Sequence, residues 1–330
     1  MAGPKPTILI ASSSFDAHTH RPVRERLLRR GFPVVVYQTD EIMAGRQRFG
    51  LRIDPTGRLA VTCDGHDIAP DAIAAAWYWK VAGFRVADAE RNVAKQLSMV
   101  NEIAQWNSSL WGLYPERLWL SSPRAVAVAN QKLLQLVTAR DVGFTIPRTV
   151  VGNDWDAVEA ETAPDGSDII VKMMRGVLAD QNRLKGLYTT PLDRSAIESL
   201  KESTIPFPGM FQPFLKKARE WRITVVGDEV FPVAVHTDAD ARDDWRRMQN
   251  TPSVEFRVEP LPAGVADLCR SYLRRFSLRY GAFDLVEQPD GQVVFLECNP
   301  NGQHNWLEEK LGIPVAEALA AELARTAEAD

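Results

Sequence analysis

The chain has 330 residues, 45% apolar and 25% charged, with a formal net charge of −4, which is enough chain for two or three packed domains. The acidic balance argues against a surface dominated by basic charge, and so against a nucleic-acid partner. The three cysteines, Cys63, Cys269 and Cys298, form neither a C-x-x-C pair nor a disulfide framework, which points to a reducing compartment. No run approaches the roughly 20 apolar residues of a membrane span, and the short apolar run at Thr7–Ala11 is a strand rather than a signal-peptide core. The expectation is a cytoplasmic protein with no membrane association.

From the N-terminus, Thr7–Ala11 predicts a strand, Pro22–Arg30 a helix closed by Gly31, and Val34–Gln38 a second strand. Phe49–Ile53 and Leu59–Cys63 flank the turn residues Asp54-Pro55-Thr56-Gly57 and predict a hairpin. Ile73–Trp79 reads as a buried strand and Asp88–Leu113 as a long helix. Strand-helix-strand order of this kind predicts a small α/β domain with a largely parallel sheet over residues 1–121.

A second block, residues 122–215, opens at Ser122-Pro123, a serine cap followed by proline in the first turn. The helix it starts is expected to run to Gly143. Ile146–Val151, Ile169–Met174 and Phe211–Leu215 predict strands, with a helix near Ser195–Ser203 between the last two. In the third block, residues 216–330, Trp221–Val226 and Val230–His236 flank Gly227-Asp228-Glu229 as a hairpin. A helix at Gly264–Tyr280 follows. Ala282–Glu287 and Val293–Cys298 make another hairpin around Pro289-Asp290-Gly291, and Pro314–Thr326 is the last helix. The polar stretch Asp238–Asn250 predicts a loop.

Chemistry concentrates at the last hairpin. Asp284 lies on its first strand, and Glu297 and Asn299 lie two apart on one face of the second. Carboxylates inside runs of Phe, Leu and Val cost several kcal/mol unless paired or metal-bound. Three oxygen donors there suit Mg²⁺, which keeps its other positions for water or phosphate oxygens; a solvated strand face fits the same spacing. Lys132 on a helix and Lys172 at the end of the apolar strand 168–172 are candidate phosphate partners, although a lysine of either kind taken singly is more often a surface charge. Neither a P-loop nor a G-x-G-x-x-G fingerprint is present.

The series of a helix lysine, a strand lysine, Gln212-Pro213-Phe214-Leu215, Glu220-x-Arg222 and Asp284 … Glu297-x-Asn299 resembles the ATP-grasp ligases over essentially the whole chain. Further stretches are similar to one branch of them, the MvdD-type, microviridin-like graspetide maturases. These are Ala76-Trp77-Tyr78-Trp79-Lys80, Asn130-Gln131-Lys132, Ile146-Pro147-Arg148-Thr149, the run from Glu220 to Gly227, Asp244-Trp245-Arg246, and Asn299-Pro300-Asn301-Gly302-Gln303 … Trp306-Leu307-Glu308. The resemblance implies an α/β and α+β architecture, in which a pre-ATP-grasp α/β domain precedes the two halves that clasp ATP.

It also implies a reaction. ATP and Mg²⁺ activate an Asp or Glu side chain of a ribosomal precursor peptide, leader plus core, and a Ser, Thr or Lys of that peptide closes a macrocyclic ω-ester or ω-amide. By the same resemblance Lys132 and Lys172 hold the α- and β-phosphates, the backbone of Gln212, Pro213, Phe214 and Leu215 meets adenine, and Glu220 accepts from the ribose hydroxyls. Arg222 and Arg246 face the γ-phosphate and the acyl phosphate; Asp284, Glu297 and Asn299 carry Mg²⁺. A homodimer is a further implication. The alternative within the same fold is a ligase for free amino acids or small carboxylic acids, of the glutathione-synthetase or RimK kind.

Other conspicuous residues carry blander readings. His18 and His20 lack a third ligand and fit a loop of the first domain. His304 fits a structural role. Trp77, Trp79, Trp106, Trp111 and Trp119 fit core or interface packing, Cys298 should point into the core, and Arg270, Arg274, Arg275 and Arg279 fit a solvated helix face.

Overall fold

A computed structural model describes residues 5–81, 92–152, 154–164, 168–172, 174, 177–180, 183–186, 190–192, 209–238 and 250–329. The N-terminal part holds strands β1 (Thr7–Ser12), β2 (Val34–Gln38), β3 (Phe49–Ile53), β4 (Leu59–Cys63), β5 (His66–Asp67) and β6 (Ile73–Tyr78). Its helices are α1 (Ala17–Arg29), α2 (Thr39–Met43) and α3 (Val93–Gly112). β1 lies between β2 and β6, all parallel, as strand-helix-strand order requires.

The hairpin β3–β4 is closed by Asp54, whose carboxylate accepts from the N–H groups of Thr56 at 2.8 Å and Arg58 at 3.0 Å. β4 and β5 are joined by Asp64-Gly65, both at positive φ, 47° and 82°, the backbone that a two-residue primed turn demands. α1 starts five residues before the predicted Pro22 and contains that proline. So near the helix start, proline removes a single i→i−4 bond, and the helix tolerates it. His18 and His20 therefore sit on α1 rather than on a loop, one exposed and one buried.

The predicted helix from Pro123 to Gly143 is two helices, α4 (Pro123–Ala129) and α5 (Lys132–Val142). Ser122 caps the first through the N–H of Ala125 at 3.1 Å. The chain then breaks at Asn130-Gln131, where Gln131 is extended, and Gly143 closes the second helix in the left-handed region at φ 109°. Both helices share a core with Trp221, Ile223, Phe283 and Phe295 of the C-terminal sheet.

A four-stranded antiparallel sheet follows, in the order β11-β8-β12-β7: β7 (Val150–Gly152), β8 (Ile169–Lys172), β11 (Thr190–Leu192) and β12 (Gly209–Pro213). Helix α6 (Trp155–Thr162), capped by Asp154, contributes Val158 to its core. β9 (Val177–Asp180) and β10 (Arg183–Gly186) pair as a separate ribbon. The strand predicted at Ile146–Val151 is shorter because residues 145–149 leave this sheet: Thr145 bridges to Val294, and Pro147 has no N–H to give.

The C-terminal sheet has the order β15-β14-β13-β16-β17, all antiparallel. Its strands are β13 (Arg219–Val226), β14 (Glu229–Thr237), β15 (Val254–Arg257), β16 (Tyr280–Glu287) and β17 (Val293–Asn299). Helix α7 (Val265–Arg275) covers it, ending five residues before the predicted Tyr280, in a turn that contains Ser277 at φ 54°. Helices α8 (Asn305–Leu311) and α9 (Val315–Ala327) complete the chain. Leu319 and Leu323 of α9 share one core with Ile8, Ile10 and Trp77 of the first sheet and Val233 and Tyr280 of the last. That shared core joins the N-terminal domain to the C-terminal half.

The predicted helix near 195–203 and most of the polar stretch 238–250, including Arg246, lie outside the described residues. No helix among the described residues is long and apolar enough to cross a membrane.

Candidate active site

Adjacent strands of the C-terminal sheet bring the charged residues together. Arg222 on β13 stands opposite Asp284 on β16, and Asp284 stands opposite Glu297 on β17. The β16–β17 register shifts between Asp284 and Leu285. This is a bulge of the kind that re-aims side chains beside functional sites. Asp284 is 5% exposed and Arg222 7%. Burial at that level is tolerable only with close pairing, and Arg222 Nη1 donates to Asp284 Oδ1 at 3.0 Å.

The pairing continues outward. Lys132 Nζ donates to Glu297 Oε2 at 3.0 Å, and the Asn299 amide donates to Glu297 Oε1 at 3.1 Å and Asp284 Oδ2 at 3.3 Å. Lys132 reaches this point because the helix breaks before it, so it opens α5 instead of lying inside a longer helix. Gln135 fixes that helix to β17: its amide donates to Ala129 O at 2.6 Å and Cys298 O at 2.9 Å and accepts from Cys298 N at 3.1 Å. Cys298 points into the core, where burial pushes its thiol well above the ordinary range and leaves it un-ionised.

The donor set fits Mg²⁺. Two carboxylates and an amide oxygen are hard ligands on adjoining strands; among the described residues no group of three His, Cys, Asp or Glu side chains offers a zinc-type alternative. Asn299 turns its nitrogen towards both carboxylates. A cation held between them would favour the opposite orientation of the amide, with the Asn299 oxygen as the donor.

The nucleotide-facing candidates spread over both sheets. Lys172 ends β8, beside Met210 of β12. The buried Gln212 donates its amide to Thr149 Oγ1 at 2.9 Å, and the Phe214 N–H donates to Asp168 O at 2.7 Å, extending the β8–β12 ladder past Pro213. That bond takes one of the backbone donors expected to meet adenine, and the neighbouring groups of Leu215 lie beyond the ladder's end. Glu220, buried on β13, receives the Lys217 ammonium at 2.8 Å. Lys217 was not singled out from the sequence; Lys216-Lys217 next to the hinge was its only signal.

The loop after Asn299 carries a connection that spacing alone did not reveal. Arg222 Nη2 donates to Gln303 O at 3.2 Å, while the Gln303 side chain donates to Asp16 and accepts from Thr19 Oγ1 at 2.8 Å. One glutamine thus ties the start of α1 to the arginine of the charged cluster. Gly302 permits the approach, since a Cβ there would lie 2.5 Å from Ala282 Cβ and 2.8 Å from Arg222 Nη2. His304 is fully buried between Trp79 and Tyr280. Burial, with the positive charges of Arg222, Lys80 and Arg26, brings its imidazole down to about 3, so it is neutral at physiological pH, in keeping with a structural role.

Lys132, Glu297, Asn299, Asp284 and Arg222 therefore form one continuous chain of contacts. Lys172 and Gln212 to Pro213 lie on the four-stranded sheet and Glu220 on the five-stranded one; Arg246 is outside the described residues.

No protein-family model matches the sequence, and no curated protein matches it either. Solved structures resemble it in fold. Macrocyclase MdnC from Microcystis aeruginosa MRC, bound with precursor peptide MdnA, superposes with a TM-score of 0.82 at 24% identity, covering 97% of this chain and 99% of that one. A RiPP-associated ATP-grasp ligase from Chryseobacterium gregarium, in complex with ADP and a leader and core peptide, gives 0.81 at 21% identity over 97% and 96%. The ATP-grasp ligase PsnB, with minimal precursor, Mg and ADP, gives 0.77 at 23% over 99% of each chain. At these identities the likeness establishes the architecture: the chain has the ATP-grasp fold, with an N-terminal α/β domain.

Proposed function

We propose that the chain is an ATP-dependent ligase that activates Asp or Glu side chains of a ribosomal precursor peptide and closes macrocyclic ω-ester or ω-amide links with Ser, Thr or Lys. The observation that carries this reading is the unbroken polar chain Lys132–Glu297–Asn299–Asp284–Arg222. It is set in a fold whose likeness to peptide macrocyclases runs the length of the molecule.

Phosphoryl transfer asks a protein for positioning and charge neutralisation more than for covalent help. In this reading Lys132 and Lys172 hold the α- and β-phosphates, the hinge at Gln212, Pro213, Phe214 and Leu215 receives adenine, and Glu220 receives the ribose. Glu220 has then to exchange the Lys217 ammonium for the sugar hydroxyls. Asp284, Glu297 and Asn299 would hold Mg²⁺, which supplies positive charge against the phosphate oxygens. Arg222 and Arg246 orient the γ-phosphate. A carboxylate oxygen of the peptide bonds to the γ-phosphorus and ADP leaves. The acceptor hydroxyl or amine then bonds to the acyl carbon, losing its proton as inorganic phosphate departs. Water must be kept out between the two steps, because an acyl phosphate hydrolyses.

A cytoplasmic setting and a homodimer belong to the same reading. Leu133 and Val137, exposed one turn apart on α5, are apolar surface open to a second copy.

The deciding experiment is the intact mass of a candidate precursor peptide after incubation with enzyme, ATP and Mg²⁺. Losses of about 18 Da per event, one water each and absent without ATP, are expected. ADP release driven by free amino acids, with the peptide mass unchanged, would replace this reading by a small-carboxylate ligase.

A further inference from the structure

The carboxyl end of a parallel sheet is where open α/β domains receive ligands. Here that end is formed by β1 and β6, which stay paired through the Trp79 N–H to Ala11 O at 2.8 Å; Lys80 follows at once. Lys80 has φ 41°, a left-handed backbone that costs a side-chain-bearing residue free energy. The other described non-glycine residues with positive φ, Asp64 and Ser277, lie in turns, whereas Lys80 does not. Such a backbone persists where the surroundings hold it for a purpose.

The charges around the site narrow that purpose. Arg222 is committed to Asp284 and Gln303, Lys132 to Glu297, and Lys217 to Glu220. Lys80 is the looser cation: its ammonium is 4.0 Å from Asp16 Oδ1, and burial lowers its pKa. Asp16 is also the carboxylate that Gln303 grips, and Gln303 receives Arg222. His304 lies edge-on to Trp79 at 5.6 Å, the ring over which the Lys80 ammonium stands at 5.8 Å, and it follows Gln303, whose carbonyl receives Arg222. The Ser13 hydroxyl, at the adjoining end of β1, is buried and has no hydrogen-bond partner among the described residues.

The proposed reaction brings two anions together, a peptide carboxylate and a γ-phosphate, and each requires its own positive partner until the P–O bond forms. We propose that Lys80 is the receiving group for the substrate carboxylate, with Asp16 as the counter-ion it exchanges for that carboxylate. This deepens the ligase reading and rests on it. Lys80 stays protonated throughout; it positions the carboxylate beside Arg222 and takes no part in bond breaking.

The test uses the full chain, ATP, MgCl₂ and a synthetic Glu/Thr-rich peptide, with hydroxylamine to trap the activated side chain as a hydroxamate. Lys80→Met should raise the KM for the peptide about ten-fold or more, the scale of one lost charge-assisted hydrogen bond. The KM for ATP should be unchanged, and Lys80→Arg should recover part of the loss. Binding read by tryptophan fluorescence, which needs no turnover, should show the wild type favouring the peptide over its Glu→Gln counterpart and Lys80→Met losing that preference. Equal peptide KM values, an equal loss of ATP affinity, or no charge preference in the wild type would overturn the proposal. A wild type that forms no hydroxamate counts against the ligase reading instead, and the fluorescence titration still decides the role of Lys80.

Discussion

Two polar regions of this molecule are built on opposite plans. On the five-stranded sheet, Arg222, Asp284, Asn299, Glu297 and Lys132 are joined in an unbroken series, which leaves Arg222 Nε as its one buried polar atom without a partner among the described residues. At the carboxyl end of the three-stranded sheet, Ser12, Ser13 and Trp79 bury polar atoms with no partner among the described residues, and Lys80 holds a strained backbone beside a distant counter-ion. A connected network fixes geometry and resists being pulled apart. An under-satisfied one keeps capacity for a ligand at some expense in stability. In the proposed reading, the first is the framework for phosphate chemistry and the second the place where a substrate is received.

The largest effect is expected in the connected network. Arg222→Met leaves Asp284 charged and buried, and should lower unfolding free energy by about 3–5 kcal/mol; Arg222→Met with Asp284→Asn should recover much of it. Urea denaturation of the two variants measures the difference, and equal losses would mean that the pair is not the stabilising unit. Glu297→Gln and Asn299→Ala should lower kcat by about 10²–10³-fold, the scale of losing one transition-state electrostatic contact, with far-ultraviolet circular dichroism unchanged. Wild-type turnover in both would remove the metal assignment.

The junction between the two regions has a pH signature. His304 titrates near 6.5 when unfolded, but burial holds its imidazole down to about 3 in the folded protein. Its contribution is present above pH 6.5 and is lost as pH falls towards 3, because only the unfolded chain takes up the proton in that window. The loss at pH 5 should be on the order of 2 kcal/mol. His304→Phe should flatten the slope of unfolding free energy against pH between 7 and 4; an unaltered slope would place that dependence elsewhere. The smallest effect is expected at the receiving end. Lys80→Gly relieves a positive-φ residue and should stabilise the fold by about 1 kcal/mol, read as a higher melting temperature, while weakening the acidic peptide. Destabilisation would show that the Lys80 side chain supports the fold itself.

Much of the framework was legible in advance. The β2 strand and the β3–β4 hairpin fall on their predicted residues because alternation and turn chemistry are local. So does the Ser122 cap. The break at Asn130-Gln131 was not legible: Val126, Ala129, Leu133 and Val137 continue a helical rhythm across it, and the interruption is held by Gln135 reaching Ala129 and Cys298, a residue more than 160 positions away. Helix α8, with seven residues, was too short for its periodicity to register.

Local order and spacing dictate which residue types each element carries: two carboxylates and an amide on a hairpin, lysines on a helix and a strand, arginine beside glutamate. Order and periodicity suffice for that, because strands and helices fix which neighbours share a face. The pairings come from the packing of distant elements. Lys132 meets Glu297, Glu220 meets Lys217, and Gln303 joins Arg222 to Asp16. Each of these depends on where whole elements pack, and a buried charge must find its partner in space, whatever the distance along the chain.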